Sequence, residues 1–111
     1  MDTKVTICIG LNDKDTKKQE ITTDAAKDII YKAVVKYFGF GTVSDCSGIY
    51  THDDGTGAVV LETSIKIEVT FFDMDKETAK TTVLPFVLDM KKELNQETIY
   101  TDLTTVDAFL F

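Results

Sequence analysis

Several polar residues of this chain have side chains that can bind or transform a small molecule, and most of them flank alternating apolar segments. Amide, carboxylate, amine, phenol and imidazole groups in one place can hold a polar ligand by directed hydrogen bonds and by charge. The candidate ligand-binding residues are Asn12, Asp13, Lys14, Tyr50, His52, Gln96 and Glu97. Whether they meet depends on the fold.

His52 is the one histidine of the chain, and it precedes Asp53 and Asp54. An imidazole beside carboxylates can act as an acid/base or as a metal ligand, but we favour an exposed residue near a hairpin tip. Zinc sites usually have more His or Cys ligands, and the acidic residues lack the twelve-residue spacing of a calcium loop. We therefore predict no metal and no cofactor.

Two pairs of candidate residues, Asn12-Asp13 and Gln96-Glu97, each allow a second interpretation. Asn12-Asp13 lies at a strand end ahead of a helix N-terminus, where backbone donors can hold an anionic ligand, yet Asn and Asp are also ordinary turn residues. Gln96-Glu97 is either part of a site or a simple turn between a helix and a strand. Both interpretations stay open at this point.

Hydrophobic periodicity predicts the elements that would position these groups. A period of two predicts strands, and spacings of three and four predict helices. The first helix begins after a cap at Thr22, Thr23 or Asp24 and ends before Gly39. Pro85 lies inside the second predicted helix and should kink it or split it in two. Broken alternation predicts a bulge near 44–48 in an edge strand. The strands are predicted at 4–11, 42–52, 59–71 and 97–103, and the second helix at 75–94.

This order predicts one α+β domain over residues 1–111, a ferredoxin-like βαββαβ sandwich. Its four-stranded antiparallel sheet has the order 4-1-3-2, with both helices on one face. The end of strand 1, the tip of the hairpin at 53–57 and the start of strand 4 then share one end of the sheet, so the candidate residues converge. Cys8 and Cys46 lie too far apart for a disulfide.

Composition narrows the possible functions. The chain has 111 residues, 12 Lys+Arg against 19 Asp+Glu, and a net charge of −7. All its basic residues are lysines. An acidic surface disfavours nucleic-acid binding, and a chain with no arginine has no bidentate phosphate clamp. No segment has the pattern of a signal peptide or a membrane span, so we expect a cytoplasmic protein with reduced thiols.

One face of the sheet is left open and polar, and the chain ends on the apolar residues Phe109, Leu110 and Phe111. Apolar side chains at a chain end need a partner surface. We expect a homo-oligomer that forms through the open sheet face and the C-terminal tail, with packing of the tail within one chain as the alternative.

Short motifs resemble an uncharacterised family of small bacterial and phage proteins. They cover about residues 4–101. The motifs are Gly10-Leu11-Asn12, Gly41-Thr42-Val43 with Asp45, Gly48-Ile49-Tyr50, Glu62-x-Ser64 and Gln96-Glu97-Thr98-Ile99. That family has no assigned reaction, so the resemblance implies a fold and a site position. The small, acidic, lysine-only composition also resembles accessory proteins of phages.

We therefore predict a non-enzymatic, phage-encoded anti-defence protein in the host cytoplasm. It would sequester a small polar or nucleotide-like ligand, or block a basic surface of a host protein. The alternative is a cofactor-free enzyme of the dimeric ferredoxin-like barrel type, with His52 or Asp13 as the base. Whether the chain is an enzyme is left open by the residues alone.

Overall fold

The sheet is built around β1 (Asp2–Gly10), whose side chains alternate between buried and half-buried along the strand. In the computed structural model, which describes residues 1–52 and 55–111, β1 pairs antiparallel with β3 (Val59–Phe71) and β4 (Tyr100–Val106). β2 (Thr42–Thr51) pairs with the other side of β3, which gives the order β2-β3-β1-β4 in the described four-stranded sheet. The predicted α+β fold and strand order are confirmed.

Two helices in the described part of the chain cover one face of this sheet. They are α1 (Thr23–Phe38) and α2 (Lys76–Glu93). Their apolar side chains form one core with the alternate residues of β1 and β3. Phe86 of α2 and Ile7 of β1 are fully buried there. The same alternation leaves the polar side chains of β1 and β3 on the open face.

Local capping sets the helix ends. The Thr22 side chain accepts a hydrogen bond from the Ala25 N–H at the start of α1, and Gly39 ends that helix with a φ of 83°. The Asp75 side chain accepts from the Thr78 N–H in the same way at the start of α2. No helix in the described residues is long and apolar enough to cross a membrane.

Three local predictions need correction. The pairing of β2 with β3 runs in one register from Thr42 to Thr51, so β2 has no bulge. Its alternation is broken because Asp45, which lies on the helix side, pairs with Lys27 of α1 instead of entering the core. α2 is continuous through Pro85, so the predicted split is wrong while the kink stays a prediction, and β4 begins at Tyr100 rather than at 97.

The β2–β3 hairpin extends past the end of β1. The ladder between β1 and β3 ends at Gly10 and Ser64, whereas the ladder between β2 and β3 continues to Thr51 and Val59. Side chains on this extension therefore stand beside the end of β1. The hairpin turn predicted at 53–57 includes Asp53 and Asp54, which lie outside the described residues.

Pro85 gives a test of the α2 packing. Proline has no N–H, so the Thr81 carbonyl one turn earlier lacks its usual helical donor. Because residue 85 is exposed, Pro85→Ala should raise the free energy of unfolding by about 1–3 kcal/mol, measured by urea denaturation. Pro85→Gly restores the same N–H and should gain about 1 kcal/mol less. Destabilisation by both changes would contradict this account.

Candidate functional site

A cavity of about 430 Å³ opens at the end of β1, between the β2–β3 hairpin and the start of β4. Sites for small molecules commonly have volumes of about 300–1,000 Å³, so this space suits a small ligand. Its wall consists of Cys8, Gly10, Asn12, Asp13, Lys14, Lys17, Tyr50, Glu62, Ser64, Gln96, Glu97, Thr98 and Tyr100.

The fold brings most of the candidate residues to this cavity, and His52 is the exception. The candidates on the wall are Asn12, Asp13, Lys14, Tyr50, Gln96 and Glu97. His52 lines a neighbouring cavity of about 210 Å³ with Thr51, and the two cavities share Lys17 and Tyr50. The His52 N–H donates to the Ala58 carbonyl across the hairpin, which places this residue near the hairpin turn, past Tyr50. Ligand binding by these residues stays a prediction.

Glu62 also lines the cavity, although it was not among the candidate residues. Its carboxylate oxygen Oε2 accepts a 2.8 Å hydrogen bond from the backbone N–H of Asn12. The carboxylate lies directly over Gly10, where a Cβ would overlap it. Glycine at this position therefore leaves the space that the carboxylate occupies, because any side chain there would displace the carboxylate.

The signal for Glu62 was present in the sequence but incomplete. Glu62 and Ser64 belong to one of the short motifs, and alternation puts both on the open face of β3 together with Lys66 and Glu68. Only the register with β1 distinguishes Glu62 from the other three residues, since Gly10, the last residue of β1, pairs with Ser64. Glu62 lies two residues before Ser64 on β3, just beyond the end of β1 and on the wall of the cavity.

Other wall residues differ in their chemistry. Burial raises the pKa of the Cys8 thiol, which keeps it protonated and a poor nucleophile. A hydrogen bond with Asp102 raises the pKa of Tyr100. Ser64 is buried, and its hydroxyl donates to the Glu62 carbonyl at 3.3 Å. Fixed charge in the cavity comes from carboxylates and lysines.

Asp13 anchors a loop instead of pointing freely into the cavity. The Asn95 side-chain amide donates to Asp13 Oδ2 at 2.8 Å, and the N–H groups of Asp15 and Thr16 donate to Oδ1. The Asn95 hydrogen bond, followed by those two N–H groups, lowers the pKa of Asp13. A carboxylate stabilised in this way is a weak base, which disfavours Asp13 as the base of an enzyme.

Metal binding finds no support in the described residues, where no group of three His, Cys, Asp or Glu side chains is placed to hold an ion. Asp53 and Asp54, which were considered beside His52 in the alternative of a metal site, lie outside the part of the chain that is described. Cys8 and Cys46 are both free thiols.

Solved structures of one kind of enzyme share this fold. A phage SAM lyase in complex with S-methyl-5′-thioadenosine matches with a TM-score of 0.66 and 24% identity, over 93% of this chain and 80% of that one. A phage SAM lyase in the apo state matches with a TM-score of 0.64 and 21% identity, over 92% of this chain and 78% of that one. No family model matches the chain. No curated protein matches it either.

These comparisons correct the predicted function. We expected a non-enzymatic binding protein that sequesters a ligand or blocks a host protein, and that prediction is wrong because the matching structures are of a lyase. The residues misled us because polar groups that converge on a cavity look the same whether they bind a molecule or transform it.

The role of Gly10 can be tested by adding one methyl group. In Gly10→Ala, the new Cβ should push the Glu62 carboxylate off the Asn12 N–H, and a crystal structure should show the displacement. Loss of this hydrogen bond costs about 1 kcal/mol, and alanine offsets part of it by restricting the unfolded chain. Thermal unfolding should therefore change little.

Gly48→Ala is the matched control for Gly10→Ala. The nearest atom to a Cβ on Gly48 is the Ser64 hydroxyl oxygen at 3.2 Å, so the Glu62 carboxylate should keep its place. An unmoved carboxylate in Gly10→Ala would contradict the assigned role.

Asn95 gives a prediction about pH. Asn95 has a φ of 47°, which glycine adopts freely, so Asn95→Gly removes the side chain without strain. The pKa of Asp13 should rise toward its ordinary value of 3.8, as measured by NMR titration. A lowered pKa of Asp13 stabilises the fold at pH values above 3.8, and this stabilisation is lost as the pH falls through the lowered pKa. The variant should therefore be less stable than the unaltered chain at neutral pH, and the difference should disappear in acid.

The pKa of Asp75, which the Thr78 N–H lowers, serves as the internal control for that titration and should not move. An unchanged pKa of Asp13 would show that Asn95 has no part in it.

Proposed function

We propose that this chain is a phage-encoded SAM lyase that releases S-methyl-5′-thioadenosine from S-adenosylmethionine (SAM). The observation that carries the proposal is the likeness, over 93% of the chain, to a phage SAM lyase in complex with S-methyl-5′-thioadenosine. The cavity of about 430 Å³, with the Glu62 carboxylate held on its wall, supports it.

The proposed reaction breaks the bond between the sulfonium sulfur and Cγ of the aminocarboxypropyl group. The electron pair of that bond stays on sulfur, which becomes the neutral thioether of S-methyl-5′-thioadenosine. An oxygen of the substrate's own carboxylate attacks Cγ and closes a five-membered lactone. Atoms and charge balance without water or another reactant, because nucleophile and leaving group belong to one molecule. Holding them in line is then the main task of the enzyme.

We place Glu62 against the α-ammonium group of the substrate. The positive charge on sulfur disappears as the C–S bond breaks, so a carboxylate beside sulfur would stabilise the substrate more than the transition state. The ammonium charge does not change during the reaction, and a fixed carboxylate there turns the substrate's carboxylate toward Cγ. The hydrogen bond from the Asn12 N–H and the close fit over Gly10 support this role by fixing Glu62.

Tyr50 and Tyr100 offer aromatic surface for the rest of the substrate. Both line the cavity, and they are 44% and 63% exposed. An aromatic face attracts a cation and also stacks on a nucleobase. We assign them to the sulfonium and adenine end of the substrate.

An enzyme that removes SAM deprives methyltransferases of their methyl donor, which fits an anti-defence role in the host cytoplasm. We also retain the proposal of self-association through the open sheet face and the C-terminal tail. It is supported by Phe109 and Leu110, which are 75% and 88% exposed.

Incubation of the purified chain with SAM tests the function. S-methyl-5′-thioadenosine and the four-carbon amino lactone should appear in equal amounts by mass spectrometry. Glu62→Gln keeps the shape but removes the charge, and kcat should fall by about 100-fold. Release of a vinyl amino acid in place of the lactone would show that elimination replaces ring closure.

Glu77→Gln makes the same chemical change on the exposed first turn of α2 and should keep full activity. Absence of S-methyl-5′-thioadenosine with the unaltered chain would overturn the proposed function. Full activity of Glu62→Gln would overturn the role of Glu62.

A further inference from the structure

Gln96 is a buried amide between the end of α2 and the start of β4, with only 8% of its surface exposed. Its side-chain Nε2 donates to the Asn12 carbonyl at 2.8 Å and to the Leu94 carbonyl at 3.1 Å. Its own N–H donates to the Lys91 carbonyl at 2.9 Å, which ties the residue to the last turn of α2. The amide thus reaches from the α2–β4 connection to the end of β1.

Asn12 is held at both of its backbone groups. Its carbonyl accepts from Gln96, and its N–H donates to the Glu62 carboxylate at 2.8 Å. The N–H and the carbonyl of Asn12 belong to the two peptide planes that meet at its Cα, so a bond that holds the carbonyl limits the movement of this Cα and, through it, the movement of the N–H. The residues Gln96, Asn12 and Glu62 therefore form one hydrogen-bonded chain across the cavity wall.

We propose that Gln96 is a positioning residue, which fixes the Glu62 carboxylate by holding the backbone of Asn12. The kinetic part of this inference rests on the proposed lyase function, but the structural coupling does not. A buried amide is costly unless its donors are bonded, and an apolar residue of this size would fill the same space. Of the two bonds that this amide donates, the shorter goes to Asn12, the residue whose N–H binds Glu62.

Hydrogen exchange at single amides tests the coupling without any substrate. Gln96→Met has a similar length and no donor, so the Asn12 N–H should exchange about 3- to 10-fold faster, the range for loss of one hydrogen bond. The Leu11 N–H, which donates to the Thr63 carbonyl at 3.0 Å, should keep its protection. Equal acceleration at both amides, or none at Asn12, would overturn the proposal.

Kinetics test the consequence for catalysis. In Gln96→Met, kcat should fall by about 10-fold because the ammonium of the substrate is less well oriented. The Kd of S-methyl-5′-thioadenosine, which has no ammonium group, should stay within about 2-fold. Equal loss in kcat and in the affinity for this product would indicate a collapsed cavity and would overturn the positioning role.

Two further variants serve as the control and as the replacement for Gln96→Met. Gln19→Met is the matched control, since the exposed Gln19 amide also donates to a backbone carbonyl, that of Ile21 at 2.9 Å, and its loss should change neither result. Gln96→Asn keeps a polar side chain but shortens it, and it replaces Gln96→Met if that variant does not fold. If the unaltered chain fails to cleave SAM, the lyase proposal is lost, and hydrogen exchange alone decides whether Gln96 positions Glu62.

Discussion

The close approach of the Glu62 carboxylate to the backbone of Gly10 is the constraint on which the site depends. A side chain at position 10 would occupy the space of the carboxylate, and the N–H of Asn12, two residues further along the chain, donates a hydrogen bond to that carboxylate. The extension of the β2–β3 hairpin past β1 makes the approach possible, because it brings Glu62 level with the strand end. Sheet register, strand length and one missing Cβ together place a negative charge on the cavity wall.

Periodicity was sufficient to predict the fold, since each element buries one face against the same core. Topology then predicted the convergence of Asn12 with Gln96, although neither residue is unusual in a turn. Glu62 escaped prediction because alternation gives Glu62 and Glu68 the same face. Glu68 pairs with Lys4 and Lys66, whereas Glu62 meets a backbone N–H. Only the end of β1 distinguishes the two carboxylates, and strand ends are the boundaries that sequence patterns define least well.

The proposed substrate changes the interpretation of the negative charge of the chain. A net charge of −7 first suggested a basic protein partner. SAM carries a sulfonium, an ammonium and a carboxylate, and so has a net positive charge itself. An acidic protein concentrates such a molecule near its surface by the same long-range attraction. The charge is therefore compatible with a small cationic substrate and does not require a macromolecular partner.

The absence of arginine also agrees with the proposed chemistry. A guanidinium binds both oxygens of a carboxylate in a fixed fork, whereas a lysine ammonium is a point charge that can leave one oxygen free. Ring closure needs a substrate carboxylate with a free oxygen to attack Cγ. Lys14 and Lys17 are the cations on the cavity wall, and they can attract that carboxylate without holding both of its oxygens. A site that holds the ammonium firmly and the carboxylate loosely favours the attack over simple binding.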